Sequence, residues 1–405
     1  MTTRARVTLL AVVAIAGLWM GCKEDPPASL YDPSYVSGAQ PKVTGILPAT
    51  GALAGVTTLT ISGQNFSAVA GDNLVFFDKT VAPVLTATST ALTVKAPNLP
   101  KDSIQVKIAV SKADLFSETV LYKLNLAVND KFANFPSGEE GVGVECDASG
   151  NLYVSMLASG AGIGIKKFTP AGVRSDYSPV FGATVSNWRA MKFGPGGQMF
   201  TVAGRNIIFR VPAGGGTSAV WLSGSGLTPL SDLDFDANGN LWTSGPSGNV
   251  FRVKQDKSVQ LFPFTGLARA VRVFNNAVYV GGKRDSLEKV WRFPITGTDS
   301  LGAEEEYFNL SSVYGANSYG VTALTFSADG DLYVGTDGSA GILIVHPNKT
   351  SEPFYSGLIK GGTSSLTWGN GFDFFQSRNG LPGPAAAVKV NSQKNGAQYF
   401  GRTLP

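Results

Sequence analysis

Val144-Glu145-Cys146-Asp147-Ala148-Ser149-Gly150-Asn151-Leu152-Tyr153-Val154 returns with the same grammar as Leu233-Asp234-Phe235-Asp236-Ala237-Asn238-Gly239-Asn240-Leu241-Trp242 and as Leu324-Thr325-Phe326-Ser327-Ala328-Asp329-Gly330-Asp331-Leu332-Tyr333-Val334. Each copy reads as an apolar strand, a turn carrying Gly, and an aromatic strand. A sheet this small cannot bury its own apolar faces, so repeated copies must pack on one another. Six copies are read from about residue 140 onward. Their aromatic anchors are Tyr153, Phe200, Trp242, Tyr279, Tyr333 and Phe374. A third-strand line follows each: Ile165 to Phe168, Ile208 to Val211, Val250 to Val253, Val290 to Phe293, Ile342 to Val345 and Ala387 to Val390. Residues 125–135 and Gln398-Tyr399-Phe400 are expected to close the ring by sharing a blade, which removes the last open edge. The expectation for residues 125–405 is a six-bladed β-propeller.

Residues 41–124 carry a different pattern of alternating apolar strands: Pro41 to Pro48, Thr58 to Gly63, Asn73 to Phe77, Ala91 to Pro97 and Ile104 to Val110. That spacing fits an antiparallel sandwich. Pro48, Gly51, Gly55, Ile61, Gly63, Phe66 and Ala96-Pro97 together resemble the IPT/TIG family of immunoglobulin-like domains. The resemblance implies a spacer, a dimerisation surface or a binding module, and the segment is read as a stalk. In the same way, the repeated Asp-x-x-Gly-Asn-Leu turn and strand resemble the NHL and related six-bladed propeller families. The expected fold class is thus all-β, an Ig-like β-sandwich followed by a six-bladed propeller.

The first residues have the layout of an export signal: Arg4 and Arg6, an apolar stretch from Val7 to Trp19, then Gly21-Cys22. Residues 1–21 are read as a lipoprotein signal peptide. Cys22 is the expected lipidation site and membrane anchor, although Trp19 and Met20 depart from the usual lipobox. Residues 22–40, rich in Pro and Ser, form a linker, and Lys23-Glu24-Asp25 resembles a tag that sends lipoproteins to the outer face of the outer membrane. An outer-membrane, surface-exposed protein follows. The formal net charge of +4 is spread along the chain, which argues against nucleic acid. A single histidine, His346, leaves little room for zinc or His-based catalysis. Cys146, beside Val144 on a first strand, reads as a small buried hydrophobe.

No motif commits the chain to catalysis, a metal or a cofactor. The bunched Asp234, Asp236, Asn238 and Asn240 read as hairpin chemistry, because no bidentate Glu follows at calcium-loop spacing. Arg210, Arg252 and Arg292 share one register and read as outward-facing, with their stems on aromatic neighbours. The run Glu304-Glu305-Glu306 reads as a solvated loop. Calcium-dependent lactonases of the gluconolactonase family place metal ligands about eight residues ahead of the turn Gly, as that resemblance implies. Here the count lands on Val142, Arg189, Ser231 and Thr322, so the hub is expected to lack anionic groups.

Function is expected on the propeller face bearing the long loops, where Trp188, Arg189, Arg205, Arg269, Arg284, Tyr319 and Arg378 would form a cationic cup with aromatic walls. Asn206, Lys283 and Asp337 belong to the same set. The leading expectation is a non-enzymatic surface lipoprotein binding a glycan or another anionic ligand beside an outer-membrane transporter. Its rivals are a propeller hydrolase or lyase, and an adhesive scaffold for a partner protein.

Overall fold

The structure is a computed structural model that describes residues 34–133, 135–180, 188–297, 299–380 and 384–400. The leader 1–21, Cys22 and Lys23-Glu24-Asp25 lie outside the described residues.

The N-terminal body is a two-sheet sandwich. One sheet orders Lys42–Leu47, Thr58–Gln64, Ala91–Lys95 and Val84–Ala87, and the other orders Ala52–Leu53, Val120–Asn125, Lys101–Val110, Asn73–Phe77 and Thr80–Ala82. Alternation fixes which face is inside: Ile104, Val106 and Ile108 are buried, while the residues between them are exposed. Gly63 is required by contact rather than by turn geometry. A Cβ there would lie 2.1 Å from the Lys42 carbonyl and 2.3 Å from the Phe66 ring. The Ile-x-Gly-x-x-Phe signature therefore records one ring folded over a bare backbone.

Among the described residues, the second body has six antiparallel blades, five of four strands and one, the fourth, of five, where Leu287–Gly297 pairs with both Ser300–Leu301 and Glu305–Asn309. The innermost strands are Glu139–Cys146, Ala190–Phe193, Asp232–Phe235, Leu267–Phe274, Val321–Phe326 and Thr363–Trp368. They pack each on the next, and the last on the first, so the ring is closed. All six anchors sit on second strands and are buried. Four reach over the seam toward the end of the next inner strand, whereas in blade 6 Phe374 packs on Tyr333 and Trp368 and its neighbour Phe375 takes the equivalent place beside Cys146. Ring centroids are 5.1 Å apart for Tyr153–Phe193 and for Phe200–Phe235, 4.6 Å for Tyr279–Phe326, and 5.2 Å for Tyr333–Trp368. Such pairs add about 0.5–1.5 kcal/mol each beyond area burial. Cys146 holds the corresponding strand-end position in blade 1, fully buried in a cluster with Phe132, Phe168 and Phe375.

The turns between first and second strands bind the anchors as well. Asp147 Oδ1 accepts the Ser149 and Asn151 N–H groups while Oδ2 accepts the Tyr153 hydroxyl at 2.9 Å. Asp236 does the same with Asn238, Asn240 and the Trp242 indole N–H. Gly150 and Gly239 take φ values of 78° and 77°, which allow the chain to reverse. These aspartates are occupied by turn and anchor donors, in keeping with a hairpin role.

Closure of the ring uses the two ends differently from one another. Val128–Ala133 pairs antiparallel with Ala386–Asn391 and supplies the outer strand of the sixth blade. Gln398, Tyr399 and Phe400 belong to none of the strands. Residues 396–399 instead run under the hub, where the Ala397 N–H bonds the Phe326 carbonyl and Tyr399 donates to the Trp368 carbonyl. The outer strand is locked by Asp130, whose two oxygens meet Arg378 at 2.9 Å and Lys360 at 3.1 Å. Burial opposes ionisation of Asp130, but the two cations outweigh it and hold the carboxyl below its ordinary range. A depressed carboxyl stabilises the fold above its unfolded pKa, and that contribution is lost as pH falls through the folded value. Asp130→Asn should therefore destabilise the propeller near neutrality by roughly 3 kcal/mol, since it leaves fully buried Arg378 unpaired. Thermal unfolding of both proteins across pH should show the gap closing below about pH 4. A constant gap would rule out the ion pair as the lock.

Candidate functional site

Four inner strands carry a β-bulge at the same height, between Gly141 and Val144, Ala268 and Ala270, Val321 and Ala323, and Thr363 and Ser365. Blades 2 and 3 repeat it. The Arg189 and Ser231 N–H groups bond the carbonyls of Val202 and Ser244, which are already the cross-strand partners of Ala190 and Asp232. A bulge re-aims the extra residue. Val142, Arg189, Ser231, Arg269, Thr322 and Ser364 consequently all line a cavity of about 360 Å³ at the mouth of the central channel, one from each blade. Four of these are the positions reached by counting back from the turn Gly.

Three residues further along each strand stands a second ring: Glu145, Lys192, Asp234, Arg272, Thr325 and Thr367. Its first four members alternate in charge and are buried. Lys192 Nζ lies 2.6 Å from Glu145 Oε2. Arg272 donates to Asp232 Oδ2 at 2.8 Å, one step nearer the mouth. The carboxylates also bridge blades 3 and 4. Asp232 accepts the N–H of Leu233 in its own blade and of Val271 in the next; Asp234 does so with Phe235 and Val273. The expectation of a hub without anionic groups is thus corrected, because Glu145, Asp232 and Asp234 are all there. It missed them because the count stopped at the mouth, and the same count shortened to five residues lands on Glu145, Lys192, Asp234 and Thr325.

Burial pushes the Glu145 and Asp234 carboxyls above their ordinary range, against the pull of Lys192 and Arg272. Desolvation works against the Arg272 charge, but Asp232, Asp234 and Glu145 more than reverse this, so the guanidinium stays ionised. Among the described residues, no three carboxylate, histidine or cysteine side chains gather to hold a metal.

The expected cup residues scatter. Arg189 and Arg269 line the cavity. Arg189 is exposed and has no hydrogen-bond or ion-pair partner among the described residues, whereas Arg269 is paired with Glu288 at 2.7 Å. Arg205 is exposed on the hairpin after the second strand of blade 2, outside the cavity lining. Arg284 is committed to Glu304 in a two-pronged pair and lies over Phe264 and Trp291. Tyr319 covers Gly338 and bonds Ser339, also outside the lining.

Two expectations are overturned outright. Trp188 is 2% exposed, packed with Tyr153, Met191 and Phe193, and Arg378 is 0% exposed in the ring-closing lock. Neither can touch a ligand in this state. The aromatic walls fail with Trp188 and Tyr319, since no aromatic residue lines the cavity. Nor is Glu304-Glu305-Glu306 a solvated loop: its members pair with Arg284, Arg292 and Lys289. Arg252 sits over Trp242 as expected for its stem, but it is buried and paired with Asp299 rather than outward-facing.

Sandwich and six-bladed propeller together define the class of the chain. Residues 41–124 match the family model of the IPT/TIG domain. No curated protein matches the sequence of the chain. Solved structures do resemble it. An auxiliary nutrient binding protein from Bacteroides thetaiotaomicron is 13% identical, over 89% of this chain and 98% of that one, with a TM-score of 0.51. One from Bacteroides ovatus is 11% identical, over 89% and 99%, at 0.50. A candidate phosphatase from Bacteroides thetaiotaomicron is 14% identical, over 91% and 98%, at 0.57. At such identities the likeness establishes the fold alone.

Removing one charge of the hub tests its role. Lys192→Met leaves Glu145 buried without its cation and should cost about 3–5 kcal/mol, most of it recovered in the Lys192→Met/Glu145→Gln double variant. With its pKa raised in the folded state, Glu145 favours folding below its unfolded pKa and loses that contribution as pH rises through the folded value. The Lys192→Met deficit should accordingly be larger at pH 8 than at pH 5 by calorimetric unfolding. Additive losses in the double variant would mean that the pair is not coupled.

Proposed function

We propose that the chain is a non-enzymatic binding protein of the cell envelope, whose propeller holds a small, hydroxylated ligand in the channel mouth. The observation that carries this reading is the cavity itself, built from all six blades by repeated bulges and open at Arg189. Its volume of about 360 Å³ falls at the small end of ligand sites, the scale of one or two sugar rings. Ser231, Thr322, Thr363, Ser364 and Asn379 supply a wall of hydroxyl and amide groups, suited to hydrogen bonding and not to ring stacking. Hub carboxylates are engaged with backbone and cations, which makes them structural ties rather than waiting bases. The nutrient-binding description of two similar folds supports the same reading.

In this reading the IPT/TIG domain is a spacer, Cys22 is acylated, and the propeller is displayed at the outer membrane near a transporter. Among the described residues no helix is long and apolar enough to cross a membrane, so the lipid is the proposed means of attachment. Cys22→Ser should move the protein from the membrane to the soluble fraction and abolish palmitate labelling. Retention with label would remove Cys22 as the anchor.

For the ligand, titration calorimetry of the wild type against glucose, galactose, maltose, glucuronate and galacturonate should detect binding of at least one. Arg189→Ala should weaken it about tenfold or more, the scale of one hydrogen bond to a charged group. A silent panel, with no shift of the unfolding temperature, would end the reading.

A further inference from the structure

We infer that the ligand carries a single carboxylate, recognised between Arg189 at the rim and Arg272 at the floor of the cavity. The inference rests on the binding reading above and narrows its chemical class. Its basis is an imbalance between donors and acceptors. The carboxylates beside the cavity already carry donors: Asp232 accepts from Leu233, Val271 and Arg272, and Glu288 Oε2 accepts from Arg269 and the Val321 N–H. The donors are not all engaged. Arg272 is 6% exposed, lines the cavity, and spends NH1 on Asp232 and the Val271 carbonyl, while its Nε has no partner among the described residues. The Thr322 hydroxyl, in the same wall, is likewise without a partner among them. Arg189 contributes an entire guanidinium.

A buried donor without an acceptor is costly, and a ligand oxygen arriving there removes the cost. The complementary ligand is therefore rich in acceptors. Charge then limits how many of those acceptors are ionic. Arg269 is balanced by Glu288, Lys192 by Glu145, and Arg272 by Asp232 and Asp234, so the Arg272 Nε offers a hydrogen bond rather than a spare charge; Asp337, exposed at the rim, keeps one oxygen toward water after accepting the Gly320 N–H. Only Arg189 has no carboxylate beside it, so one negative charge is matched and a second would meet Asp337. A planar carboxylate suits guanidinium forks, and the hydroxyl wall takes the remainder of the molecule. A sugar acid has this chemistry, whereas a phosphate monoester has a charge too many.

Calorimetry with glucuronate, glucose and glucose 6-phosphate separates the cases on the intact protein. Glucuronate should bind at least tenfold tighter than glucose, and glucose 6-phosphate no tighter than glucose. Arg189→Ala should collapse the glucuronate-to-glucose ratio toward one, Arg189→Lys should restore part of it, and Arg210→Ala, on an exposed third-strand position, should leave it intact. Arg272→Lys should also lower the ratio, with near-ultraviolet circular dichroism reporting whether the hub is preserved. Glucose binding as tightly as glucuronate would overturn the carboxylate while leaving the binding site standing, and so would tightest binding of the phosphate. Binding of none of the three, with galactose, maltose and galacturonate silent as well, would overturn both readings.

Discussion

The seam between neighbouring inner strands governs this propeller. Within a blade the backbone is satisfied by its own ladder, but inner strands of adjacent blades converge on the axis without one, and their inward N–H groups need acceptors. Between blades 3 and 4 the solution is covalent neighbours of the ladder itself: Asp232 and Asp234 each hold one N–H of their own strand and one across the gap. Between blades 4 and 5 Glu288 reaches the Val321 N–H, and between blades 6 and 1 Ser365 reaches that of Val144. Buried acids placed there require cations, which explains Lys192 and Arg272 on the same ring. Charge at the hub is thus a consequence of closing the circle, and it is why the acids are poor candidates for chemistry.

That constraint also explains what was legible beforehand. The repeat announced itself because turn and anchor are coupled by a hydrogen bond, Asp147 to Tyr153 and Asp236 to Trp242, so the two were kept together in the pattern. The IPT/TIG signature was legible for an equally local reason, the Phe66 ring lying on Gly63. Both are readable because each is settled within a few residues. The site was less so. Arg189 and Arg269 do line the cavity, but Trp188, one position away from Arg189, points into the core because alternation sends adjacent side chains to opposite faces. Arg378 and Arg284 were misplaced because their partners, Asp130 and Glu304, are remote in sequence, and composition alone does not reveal which cations are already engaged.

The bulges connect fold and site. A regular strand would alternate cleanly from hub to seam, leaving small residues such as Ala190, Ala270 and Ala323 at the axis. By inserting one residue at the same height in each blade, the chain adds a polar collar above that narrow waist, with little demand on the rest of the sheet. The collar varies from blade to blade, with Val142, Arg189, Ser231, Arg269, Thr322 and Ser364, while the layers beneath are set by packing. The proposed recognition is therefore confined to the layer most easily altered without disturbing closure.

The segment that passes under the hub gives the cavity one further property. Tyr399 sits 5.2 Å from the Lys192 ammonium, and the space left between Ala397, Gln398, Tyr399 and the charged ring is about 20 Å³, room for about one water molecule and nothing larger. The axis is stoppered. A ligand entering at the top would have to leave by the same door, so in the proposed binding role the molecule is a purse and not a pipe: it would present its contents to a neighbour only mouth to mouth, and never pass them through itself.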